Sequence, residues 1–175
     1  MNIGITFGCF IPLHKGHLSM IDRSLKENHL TIIGVCGFDN DRGKDFISFC
    51  KRIQLMKTLY AKKNVKVVVI DDKKIGLDGT FTLENWRWWC TELFVNAGIN
   101  PYVKTNNITW YSGESSYFSK IRCLYPKHIF ELLDRENIDI SGTEIRENPK
   151  KYEDMIHPLF REYLYEKKIL QKEIL

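Results

Sequence analysis

The sequence has no apolar run of the ~18 residues needed to cross a bilayer. Its uncharged opening, Met1 to Leu13, lacks the basic start and the small-residue cleavage site of a secretory leader. A cytoplasmic protein without a membrane partner is therefore expected. The five cysteines, Cys9, Cys36, Cys50, Cys90 and Cys123, are odd in number and contain no CxxC pair, so no complete disulfide framework is implied and reduced thiols are expected. With 5 Pro and 11 Gly in 175 residues, collagen-like and low-complexity sequence is excluded. No block of five like charges occurs, and no GxxxxGK[ST] stretch exists to form a P-loop.

What is present is an ordinary globular composition, 43% hydrophobic and 27% charged, long enough for one domain over residues 1–175 with a helical segment from about 142 onward. The net charge of +4 is too small and too interspersed for a nucleic-acid footprint. It is unevenly spread, however: residues 1–75 carry 13 basic and 7 acidic side chains, the remainder 13 and 15. A basic first half suits an anionic small ligand there, although a solvated lysine-rich surface gives the same count.

Short β-branched runs alternate with helical patterns. Strands are expected at Asn2–Phe7, Leu30–Cys36, Val65–Ile70, Ile108–Tyr111 and His128–Leu133. Helices are expected at Leu18–Leu25, Ser48–Ala61 and Leu83–Ala97, after Ser141, and over the amphipathic stretch from Pro158 toward the end of the chain. The alternation predicts an α/β fold, a single Rossmann-like open parallel sheet with helices on both faces. Ligands in such sheets bind beyond the carboxyl ends of the strands.

The stretch Gly8-Cys9-Phe10-Ile11-Pro12-Leu13-His14-Lys15-Gly16-His17 lies at such a place, between the first strand and the first helix. Gly8 permits a sharp exit from the strand, and Gly16 lets a ligand approach the helix start. Two imidazoles beside the N–H groups of a helix N-terminus make an anion site. A zinc site from Cys9, His14 and His17 would need a fourth ligand or a water, and the sequence offers no spaced partner. A second stretch, Ile140-Ser141-Gly142-Thr143-Glu144-Ile145-Arg146, has the S-x-x-E spacing of a capping box. Arg146 goes beyond what a cap needs and offers a fork for phosphate oxygens.

The first stretch resembles the GxFxPxHxGH signature of the nucleotidyltransferase superfamily, and the second its ISSTxIR motif. The resemblance implies that Gly8, Phe10, His14, Gly16 and His17 surround the triphosphate of ATP. It implies further that Ser141, Gly142, Thr143 and Arg146 hold the phosphates that leave. His14, His17 and Arg146 are then the catalytic candidates, with Arg52 and Arg42 as additional basic contacts. A class I synthetase is excluded by length and by the lack of a KMSKS-like segment, and the cytidylyltransferase pattern RTxGISTT is absent.

The chain is most similar to NadR-type nicotinamide-mononucleotide adenylyltransferase domains, through Gly37-Phe38-Asp39, Asp41-Arg42, Gly98-Ile99-Asn100-Pro101 and Ile145-Arg146-Glu147-Asn148-Pro149. The resemblance implies ATP with Mg²⁺ and nicotinamide mononucleotide as substrates, and permits a homo-oligomer. Kinase and helix-turn-helix modules of larger relatives are not expected in this length. Trp86 aligns with a family tryptophan and is a candidate to stack on the nicotinamide ring, as is Trp110, yet each also fits core packing. Cys9 and Ile11 depart from residues that relatives make polar, basic or aromatic. Another acceptor, such as phosphopantetheine, and a sensor without turnover are the alternatives.

Overall fold

The computed structural model describes residues 1–39, 46–62, 64–73, 82–133 and 140–170. Five strands form one parallel sheet: β1 (Asn2–Gly8), β2 (Leu30–Gly37), β3 (Val65–Asp71), β4 (Asn107–Ser112) and β5 (Ile129–Leu132), in the order β3-β2-β1-β4-β5. β2 is buried at every position, as a continuous apolar strand covered on both faces must be. The helices are α1 (Lys15–Glu27), α2 (Phe49–Leu59), α3 (Leu83–Ala97), α4 (Ser115–Leu124), α5 (Gly142–Glu147) and α6 (Pro158–Glu166), with a 3₁₀ turn over Glu153–Met155. Among the described residues no helix is long and apolar enough to cross a membrane.

Because side chains alternate across a strand, the sheet separates two cores. Ile3, Ile5, Ile32 and Trp110 meet Leu93 and Phe94 of α3 on one face, with Phe118 and Ile121 of α4. Ile33 and Val35 meet Ile21 of α1, Met56 of α2 and Phe160 of α6 on the other. The chain leaves β1 toward one face and β4 toward the opposite face, so a crevice opens between the carboxyl ends of these neighbours.

The expected α/β sheet is thus the observed one, with differences at the helices. α1 begins at Lys15, earlier than the periodicity places it, because His14 serves as its cap: Gly16 N–H donates to His14 Nδ1 at 3.2 Å. α4 has no counterpart in the sequence reading. It buries only Phe118 and Ile121 and starts without a side-chain cap, so neither a stripe nor a start signal marks it. α6 stops at Glu166 instead of running toward the terminus, and Lys168 turns with φ 57°.

Gly4 of β1 lets α1 lie against the sheet, since a Cβ there would fall on Ser24 Oγ and 2.6 Å from Asn28 Nδ2. Gly4→Ala is therefore expected to force α1 outward and lower stability by ~1–3 kcal/mol, measured by urea unfolding.

A second consequence concerns pH. Trp110 Nε1–H donates to His128 Nδ1 at 3.0 Å, the His128 ring stacks on Tyr125 at 4.8 Å, and its Nε2 faces Pro101 O at 3.4 Å. An imidazole accepting at Nδ1 must be neutral there, and burial holds the His128 pKa below its ordinary 6.5. The unfolded chain then takes up the proton first, so this contribution to stability is complete above pH 6.5 and declines as pH falls through the folded value. His157, half-buried and shifted downward by that partial burial, adds to the same window. Unfolding midpoints should fall between about pH 7 and pH 5.5, and the slope should flatten in His128→Gln.

Candidate active site

The loop from Gly8 to His14 crosses the end of the sheet at the crevice, and its backbone is tied down at alternate carbonyls. Arg52 Nη1 donates to Cys9 O at 2.8 Å, Arg146 Nη1 to Ile11 O at 2.9 Å, and the His157 N–H to Leu13 O at 2.9 Å. Three elements distant in sequence therefore hold one loop. Between the first two ties Phe10 takes a left-handed φ of 52° and buries its ring to 1% exposure.

The loop presents both imidazoles at the start of α1. The His14 and His17 rings lie 3.9 Å apart with planes inclined by 37°, and the Phe10 ring packs edge-on against His17 at 4.9 Å. His14 is 5% exposed. Since its Nδ1 accepts from Gly16, the neutral ring carries its proton on Nε2. That atom faces Gly142: a Cβ built on Gly142 would stand 4.0 Å from His14 Nε2 and 3.1 Å from Arg146 Nη1. His17 Nε2 faces Gly8, where a Cβ would stand 3.5 Å away. Gly8 and Gly142 thus place no side chain of their own against these ring nitrogens.

The second motif docks against the first. Ser141 caps α5, with Glu144 N–H donating to Ser141 Oγ at 3.2 Å while the Ser141 N–H and hydroxyl donate to Glu144 Oε2 at 2.9 and 2.7 Å. These bonds hold the Glu144 carboxyl below the usual carboxylate range. Arg146 Nη2 donates to Thr143 Oγ1 at 3.0 Å, so one guanidinium links Thr143 to the HxGH loop. Where the ISSTxIR pattern has its second serine this chain has Gly142, and a Cβ there would lie 3.3 Å from Ile11 O. The substitution keeps α5 close to the loop.

Two sequence expectations are corrected. Arg52 is no surface phosphate contact: it is 1% exposed and spends its guanidinium on Cys9 O, Cys36 O at 3.2 Å and Phe38 O at 2.9 Å. Trp110 is fully buried among Phe94, Tyr125 and His128, so its indole faces are taken up by protein. Trp86, at 3% exposure, packs with Phe7 at 6.2 Å and Tyr117 at 5.6 Å, beside the residue that precedes Gly8. Asp41 and Arg42 lie outside the described residues.

Sequence reasoning assigned no role to Phe7 and Tyr117, the half-buried aromatics packed against this cluster. It also missed the C-terminal strap, in which Ile156 forms an antiparallel bridge with His14. The pair His157-Pro158 signals a helix start, but nothing local says where that start docks. Among the described residues no group of three or more His, Cys, Asp or Glu stands close enough to hold a metal ion.

Comparison with known proteins supplies the family. The model described as cytidylyltransferase-like matches residues 5–148. The trifunctional NAD biosynthesis/regulator protein NadR of Salmonella typhimurium is 28% identical over 174 residues, covering 89% of this chain and 38% of that protein. The chain thus spans well under half the length of this curated relative. Its structure superposes on that of a NadR protein in complex with NAD and AMP-PNP with a TM-score of 0.73 at 30% identity, covering 93% of this chain and 46% of the other. A NadR protein in complex with NR gives 0.75 at 31% identity, over 93% and 45%. With both motifs assembled at the crevice of the expected sheet, the chain belongs to the cytidylyltransferase-like family of nucleotidyltransferases.

Proposed function

We propose that the chain transfers the adenylyl group of ATP to the 5′-phosphate of nicotinamide mononucleotide, forming NAD and pyrophosphate. One observation carries the reading: the HxGH imidazoles and Arg146, some 130 residues apart in the chain, converge around the bare backbones of Gly8 and Gly142. A triphosphate fits that chemistry, with several donors gathered beside two glycines that add no side chain of their own. The likeness to NadR proteins supports a pyridine nucleotide as acceptor.

In this reading a phosphate oxygen of the mononucleotide attacks the α-phosphorus of ATP, the bond to the β-bridging oxygen breaks, and pyrophosphate departs. No covalent enzyme intermediate is needed. Such transfers depend on in-line placement and charge neutralisation, so the protein's work is positioning. ATP arrives as its Mg²⁺ complex, the cation held by phosphate oxygens and water. His17 donates to the α-phosphate as charge develops there, and His14, fixed through Nδ1, presents Nε2 beside it.

Arg146 and Thr143 hold the departing pyrophosphate, which competes with Ile11 O and Thr143 Oγ1 for the guanidinium. The Ser141 hydroxyl reaches phosphate only by giving up Glu144, so the arginine carries more of this contact. The half-buried Phe7 and Tyr117, with Trp86 behind them, offer an aromatic wall for the acceptor's ring.

The test is incubation of the chain with ATP, Mg²⁺ and separate phosphate acceptors, with pyrophosphate release followed. NAD formation from nicotinamide mononucleotide but not product from phosphopantetheine is expected; the reverse preference overturns the acceptor assignment. His17→Ala should lower kcat by ~10²–10³ while circular dichroism and the unfolding midpoint stay unchanged. A folded variant with near-normal turnover removes His17 from the chemistry. Arg146→Ala should raise KM for ATP far more than KM for nicotinamide mononucleotide, and equal increases would contradict the pyrophosphate contact.

A further inference from the structure

Cys9 sits in the HxGH loop, yet its thiol takes no part in the proposed transfer. β1 and β2 run parallel with Gly8 abreast of Val35, so one further step brings Cys9 abreast of Cys36. Neighbouring strands lie roughly 4.8 Å apart, within the roughly 4.4–6.8 Å between Cα atoms that a disulfide spans. Cys36 belongs to the α3-face core, and the half-buried Cys9 packs against that core as well as against the opposite one. A single guanidinium nitrogen of Arg52 holds both backbones, 2.8 Å from Cys9 O and 3.2 Å from Cys36 O.

We propose that Cys9 and Cys36 form a reversible disulfide, by exchange with a small-molecule disulfide, that switches the HxGH site off. Cys9, the more accessible of the two, attacks as thiolate; the small disulfide's S–S bond breaks and one thiolate leaves, giving a mixed disulfide on Cys9. Cys36 then loses its proton to solvent and attacks the Cys9 sulfur, expelling the second small thiolate. Two protein thiols are oxidised and one small disulfide is reduced to two thiols. The contact with Cys9, together with burial, holds the Cys36 thiol above its ordinary pKa, so the second exchange is the slow one. Drawing the sulfurs to the bond length of about 2 Å pulls Cys9 toward β2. Phe10, next in the chain and packed on His17 at 4.9 Å, moves with it.

The cross-link stands independently of the proposed reaction, whereas its effect on activity rests on that reading. The test uses the full chain with the exposed Cys50 and Cys123 replaced by serine (C50S/C123S), incubated with oxidised glutathione. A Cys9–Cys36 peptide and an intact mass lower by two hydrogens are expected. NAD synthesis should fall in proportion to the linked fraction and return with dithiothreitol. With Cys36→Ser added, Cys9 should stop at one bound glutathione. A folded chain that keeps both thiols reduced, or whose Cys9 stops at the mixed disulfide with Cys36 present, overturns the cross-link. Full activity at complete linkage overturns the switch. Linkage in a chain that makes no NAD even when reduced supports the cross-link and counts only against the proposed reaction.

Discussion

Everything at this site depends on how one loop is fastened. A segment leaving a strand over the top of a sheet has backbone carbonyls that no ladder satisfies, and each needs a partner. Here Cys9 O, Ile11 O and Leu13 O take theirs from α2, from α5 and from the strap ahead of α6. The His14–His17 pair rides on this frame, because His14 is both the last residue of the loop and the cap of α1. Preorganisation of the two rings is thus distributed over the chain and is not a property of the ten-residue motif alone.

The fastening also explains two features that are odd in isolation. Arg52 is a buried cation, costly unless it is hydrogen-bonded, and three carbonyls at the ends of β1 and β2 accept from its two terminal nitrogens. Gly142 looks like the loss of a serine from the phosphate motif, yet its missing side chain is what admits Arg146 and Ile11 O to the same small volume. Arg146 therefore serves two ends: it joins the motifs in this structure, and it is the group a pyrophosphate would recruit.

Much of the architecture was legible along the chain. The apolar runs at Leu30–Cys36 and Val65–Ile70 read as strands, the first buried throughout and the second, at the sheet edge, half-exposed on one face, and strands that alternate with periodic helices demand a parallel sheet. The two phosphate motifs were legible because glycine, histidine and arginine occur there at spacings that bare backbone and phosphate chemistry require. α4 was not legible, because two buried residues and no cap leave no signal. Nor were the roles of Arg52 and Trp110: an arginine opening a helix and a tryptophan ending a strand read the same whether they face a ligand or the interior.

The amino-acid order by itself determined the periods, the caps and the two motifs, since these depend on neighbours within a few residues and on backbone chemistry that acts locally. Only the tertiary structure decided which carbonyls found which donors, that Arg52 turns inward, that Trp110 closes against Tyr125 and His128, and that Cys9 comes abreast of Cys36. Those outcomes follow from strand register and from helix packing across opposite faces of one sheet. They pair residues separated by 15 to 135 positions, a relation that no local pattern in the chain encodes.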